Sequence, residues 1–155
     1  MKRFKYSLET VLDYKTQVLD NLKTEHAVIV RSVNQKKEEI ERLKKQLNGF
    51  QAGFDDAKTQ GAPIESFWLY EKCIVGMEKK IGEEKEQLLE LKKDEEKKKN
   101  EVVVAKIDTS KFENLKGKRF SEYRKAEMKE EEAFTEEFVS HTILAAGRMA
   151  REGKG

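Results

Sequence analysis

Apolar residues return along the first part of the chain in alternating steps of four and three. From Leu8 the stripe runs through Leu12, Lys15, Leu19, Leu22, His26, Ile29, Val33, Lys36, Ile40, Leu43, Leu47, Phe50, Phe54 and Ala57, and only Lys15, His26 and Lys36 interrupt it. A repeat averaging ~3.5 residues holds one face of an α-helix against a partner helix with left-handed supercoiling. The pattern predicts a first helix over about residues 5–58, ~75 Å long at ~1.5 Å per residue. Ser7 is its expected N-cap, and Glu9 in the first turn suits the helix dipole.

The stripe stops at "KTQGAPIE", where Gly61 and the single proline, Pro63, predict a hairpin tip at about 59–63. A second stripe follows through Phe67, Tyr70, Ile74, Met77, Ile81, Glu84, Leu88, Leu91, Glu95, Lys98, Val102, Ala105, Thr109 and Phe112. It predicts a second helix over about 64–150. If the chain folds back near residue 62, facing positions have numbers that sum to about 124, and apolar then meets apolar: Phe54 with Tyr70, Leu43 with Ile81, Leu12 with Phe112. Two separate patterns share one register, which a parallel dimer of one long helix does not require. The expected fold is therefore all-α, an antiparallel coiled-coil hairpin forming a single domain over 1–155.

Polar layers also coincide: His26 faces Lys98, Lys15 faces Thr109, and Lys36, opposite Leu88, leans toward Glu84 as a seam lysine with its head in water. Gly76 and Gly82 each cost a helix about 1 kcal/mol relative to Ala and make the second one bendable.

Beyond about residue 119 the first helix offers no facing residue, so the second helix overhangs. Phe120, Tyr123, Phe134, Phe138, Val139 and Ile143 give this overhang short apolar faces that call for a partner. Phe50, Phe54, Trp68 and Tyr70 cluster at the tip, and Trp68, off the seam, is the residue there most suited to recognition. The closing "REGKG" is expected to fray.

Composition agrees with a thin core: 37% hydrophobic against 40% charged residues is too little apolar material for a conventional globular interior. Net charge is +2 with the signs interleaved, as in "KKDEEKKK", so no basic stripe for nucleic acid is built. The lone Cys73 excludes an internal disulfide and fits a reducing cytosol. No apolar run approaches the ~20 residues needed to span a bilayer, which predicts a cytoplasmic chain without membrane insertion. Chemistry is sparse as well. The two histidines, His26 and His141, are far apart in the hairpin register, a rod provides no concave pocket, and no cofactor or metal set suggests itself. The expectation is a non-enzymatic protein that binds other proteins.

The opening "FKYSLETVLDYK" places Phe4, Tyr6, Leu8, Glu9, Val11 and Leu12 in an aromatic-x-aromatic-x-Leu-Glu-x-hydrophobic-Leu pattern. That pattern, with the central helix break and the charged second helix, resembles the bacterial flagellar export protein FliJ family. The resemblance implies a soluble, stalk-like adaptor of the flagellar type III export apparatus that supports flagellum assembly and, through it, chemotaxis. It implies as partners the hexameric export ATPase, the cytoplasmic domain of a membrane export-gate protein and export chaperones. The termini, with Phe4, Tyr6 and the overhang, would engage the ATPase and the tip would serve the gate. Such a protein would sit peripherally at the inner face of the membrane. A generic coiled-coil scaffold, or a stalk of a related secretion system or rotary ATPase, is the alternative that the heptads alone allow.

Overall fold

Two α-helices account for nearly all of the computed structural model, which describes residues 2–153: α1 spans Glu9–Gln60 and α2 spans Ile64–Glu152. Together they form an antiparallel coiled-coil hairpin. Every position of the two heptad stripes is buried or half-buried, so the 3.5-residue repeat marks the seam throughout. The buried apolar set is small, consisting of Tyr6, Leu12, Leu19, Val33, Ile40, Leu43 and Ile81, with Leu43 the most enclosed at 1% exposed.

α1 begins later than its periodicity suggests. Its first helical bond runs from the Leu12 N–H to the Leu8 carbonyl (2.9 Å), so Leu8 rather than Ser7 holds the cap position. The described residues before it are not helical, and Tyr6 among them is engaged with α2: its ring is buried and its hydroxyl donates to the Phe112 carbonyl at 3.0 Å. α1 ends where the Gly61 N–H donates to the Ala57 carbonyl at 2.9 Å, with Gly61 at φ +83°. That left-handed conformation crowds any Cβ, so glycine is the residue that ends the helix cheaply. Pro63 then opens α2, its carbonyl accepting from the Ser66 N–H at 3.0 Å. At the far end Arg151 and Glu152 are still helical and Gly153 closes onto the Met149 carbonyl at 3.0 Å, while Lys154 and Gly155 lie outside the described residues.

The chain forms two compact units, one of Gln17–Lys106 and one of Met1–Thr16 with Ile107–Gly155. In the first, Phe54 meets Phe67 edge-on (6.0 Å between ring centroids) and Tyr70 at 6.0 Å. Gly53 makes this possible, since a Cβ there would come within 3.0 Å of the Tyr70 ring. Lys36 leaves the seam as its position requires and reaches Glu84 at 2.7 Å and Gln87 at 2.8 Å. Lys98 bridges Glu25 and Glu101, both at 2.9 Å. Its hydrogen bonds to Glu101 and Glu25 hold the ammonium above the usual lysine range. His26 contributes less, because its Nε2 is enclosed with no hydrogen-bond partner among the described residues.

In the second unit, Leu12 and Thr109 are buried between the strands of helix. Thr109 donates to the Lys15 carbonyl at 3.4 Å, and the Lys15 ammonium lies 2.6 Å from Asp108 and 5.8 Å from the Phe112 ring centre. Lys116 pairs with Glu9 at 2.8 Å and is held above its usual range chiefly by that hydrogen bond. Contacts of this kind at the surface contribute little each, and the apolar seam provides most of the stability.

Candidate functional site

The first candidate surface is built around the non-helical residues ahead of α1. Phe4 packs on Phe120 (5.2 Å, edge-on) and on Tyr123 (5.4 Å), which lie one turn apart on α2. The Tyr123 hydroxyl donates to the Lys2 carbonyl at 2.8 Å, and the Tyr6 hydroxyl bonds to Phe112. These four aromatic residues form a strap that ties residues 2–6 along α2. Phe4, Tyr6, Phe120 and Tyr123 are thus brought together, with Tyr6 buried, Phe4 and Tyr123 half-buried and Phe120 still partly open. The strap extends the paired part of α2, so its unpaired stretch begins near Arg124 and not at about 119.

From Arg124 to the end of α2 nearly every residue is exposed. Phe134 is 70% and Phe138 65% exposed, and Val139, Ile143, Leu144 and Met149 are open to solvent as well. A phenylalanine left in water forfeits on the order of 1.5–3 kcal/mol that burial would supply, which makes this stretch of α2 a candidate surface. Depressions here, such as the one lined by Glu127, Glu130, Glu131, Phe134 and Thr135, belong to one helix face. They offer side chains for docking and no convergent set for catalysis.

The second surface lies at the hairpin tip. Phe50, Phe54 and Tyr70 are half-buried in the seam, and the Lys58 ammonium sits 4.0 Å from the Phe54 ring centre. Trp68 is 63% exposed, and it has exposed apolar neighbours that the heptad reading passed over: Ile64, Leu69 and Val75. Ile64, Trp68 and Val75 fall at i, i+4 and i+11, one outward stripe of α2. Their signal was available as a second, weaker helical period displaced from the seam.

Among the described residues no group of three or more His, Cys, Asp or Glu side chains gathers as a metal site, and no helix is long and apolar enough to cross a membrane. In the comparison with family models, the model described as "Flagellar FliJ protein" matches residues 4–148. Searches of curated proteins and of solved structures returned no match. The matched span takes in Phe4, Tyr6, Phe120 and Tyr123 of the strap, all of α1, α2 as far as Arg148, and the exposed Phe134, Phe138 and Ile143.

Proposed function

The chain belongs to the FliJ family, and on that premise we propose that it is a stalk-like adaptor of the flagellar type III export apparatus, binding the export ATPase and the export gate and promoting flagellar protein export. The observation that carries this reading is the end of α2 past the strap, a helix whose two phenylalanines are open to solvent among the described residues. An amphipathic helix offered in this way suits insertion against the groove of a larger assembly. In this reading the export ATPase, a hexameric ring, takes the segment from Arg124 onward through Phe134, Phe138, Val139 and Ile143. Phe4, Tyr6, Phe120 and Tyr123 brace the helix from within and add a rim to that contact. The tip, with Trp68 exposed beside Ile64, Leu69 and Val75 and with Phe50, Phe54 and Tyr70 behind it, serves the cytoplasmic domain of the export gate, and export chaperones are further partners. The protein acts at the inner face of the membrane through the apparatus.

The test is binding to, and stimulation of, the purified export ATPase by the full chain, by a truncation after Lys125, and by Phe134→Ala/Phe138→Ala. Cutting after Lys125 keeps Phe120 and Tyr123 on Phe4, whereas a cut after Lys118 would dismantle the strap and confuse folding with binding. Stimulation by the full chain that both variants lose supports the reading. No binding by the full chain, or undiminished stimulation by the truncation, refutes it.

A further inference from the structure

The end of α2 divides by charge into three parts. Glu127, Glu130, Glu131, Glu132, Glu136 and Glu137 surround the single Lys129, residues 138–147 carry no Asp, Glu, Lys or Arg, and Arg148 and Arg151 follow. Across these parts a stripe with the same four–three spacing, one residue out of step with the seam of Thr109 and Phe112, runs through Glu127, Glu131, Phe134, Phe138, His141, Ala145, Arg148 and Glu152, all helical. Phe134 and Phe138 on this stripe are among the most exposed large apolar side chains of the chain.

We propose that this stripe pairs with the same stripe of a second copy of the chain, antiparallel, about a two-fold axis between Val139 and Ser140. Facing positions then have numbers that sum to about 279. Phe138 meets the partner's His141, ring against ring. Phe134 meets the partner's Ala145, large against small, which is how facing layers interdigitate. Glu131 meets the partner's Arg148, and the partner's Arg151 falls one turn further along the same acidic stretch. The outermost layer sets Glu127 against Glu152, where Arg124, already 3.2 Å from Glu127, stands alongside. Residues 138–141 lie over the axis, residues 142–147 face the partner's 132–137, and each copy's Arg148 and Arg151 come opposite the first part of the other's acidic block, about 127–131.

Charge selects this arrangement over a parallel one. Parallel pairing would stack the two acidic blocks on each other, which like-charge repulsion opposes. At ~100° per residue Val139 and Ile143 point roughly away from the Phe134 side, so they stay outside the seam. A second copy therefore covers Phe134 and Phe138 and leaves Val139 and Ile143 open. The pairing goes beyond the export reading and stands without it, and the dimer is a form in which Phe134 and Phe138 are withheld from any other partner. With only two phenylalanine layers per copy the association is weak, with a dissociation constant of about 10–100 μM.

Sedimentation equilibrium of the full chain under reducing conditions, which removes any contribution from Cys73, tests this directly. The expected mass rises with concentration from 18.1 kDa toward twice that value. Arg148→Glu/Arg151→Glu and Glu130→Lys/Glu131→Lys, all at exposed positions, should each weaken self-association about tenfold or more, with unchanged helicity by circular dichroism. Mixed one to one they should restore it, because in the antiparallel mixed dimer acidic ends again face basic ones on both sides. A full chain that stays monomeric up to about 0.5 mM, far above the expected constant, overturns the proposal. So does a dimer indifferent to both variants, or a mixture that fails to recover.

Discussion

Replacing Lys36 by Met probes what a charged residue contributes inside a thin seam. The Lys36 ammonium lies 2.7 Å from Glu84 and 2.8 Å from the Gln87 side-chain oxygen, and the Lys36 and Glu84 side chains are 22% and 17% exposed. Val33 and Ile40, the neighbouring stripe positions, are buried. Removing the lysine strands a largely enclosed carboxylate. A charge-assisted hydrogen bond contributes about 1.5–3 kcal/mol, and a fully buried orphaned charge costs about 3–5 kcal/mol. Water still reaches this site, which places Lys36→Met at about 2 kcal/mol of destabilisation. Glu84→Leu should cost less, about 1 kcal/mol, because the lysine can turn its head into solvent. The double replacement should be close to neutral, since Met and Leu extend the apolar seam where two ions stood. The expected coupling is therefore about 2–3 kcal/mol, measured by urea denaturation of the four proteins monitored by circular dichroism. Additive single effects, or a double variant less stable than either single one, would refute the reasoning that this pair is retained by mutual compensation.

Other outcomes follow from single features of the structure. Gly61→Ala should lower stability by about 1–2 kcal/mol, because Gly61 holds φ +83° at the end of α1; thermal unfolding checks it. His26→Leu should raise the denaturation midpoint by an amount equivalent to about 1 kcal/mol, since it removes an enclosed nitrogen without a partner from an apolar stripe. Phe134→Ala/Phe138→Ala should change stability by less than about 0.5 kcal/mol, because both rings are mostly exposed already. The Lys98 hydrogen bond holds the Glu101 carboxyl below its ordinary 4.5. Its contribution is thus present above that value and lost as pH falls through the lowered one. Glu101→Gln should flatten the acid side of the pH–stability curve, and an unchanged acid limb would count against the pairing.

Much of the hairpin is readable along the chain because a helix converts sequence spacing directly into a face. The 3.5-residue repeat located the buried stripe of both helices, including Thr109, which the periodicity placed against Lys15 although it is polar. Lys36 could be read for the same reason: a seam position with a four-carbon stem, facing Leu88 with Glu84 one turn from it on the other helix, has one good way to place its charge. The outward stripe of Ile64, Trp68 and Val75 was less visible, since the stronger seam period overlies it.

The sequence by itself determined the two helices, the break at Gly61 and Pro63, the shared register and the surplus of phenylalanine beyond the pairing. Tertiary structure decided how the residues ahead of α1 are used. Residues 2–6 are not helical, so they have no helical period to read, and the groups that hold them are distant in the chain: Tyr6 bonds to Phe112 and Lys2 to Tyr123. The aromatic residues Phe4, Tyr6, Phe120 and Tyr123 form a strap, and the free part of α2 starts a turn later as a result. Gly53 belongs to the same class, since the space it leaves is filled by Tyr70 from the other helix. Local spacing specifies which face of a helix is apolar, whereas what covers that face depends on which distant segment the fold brings to it.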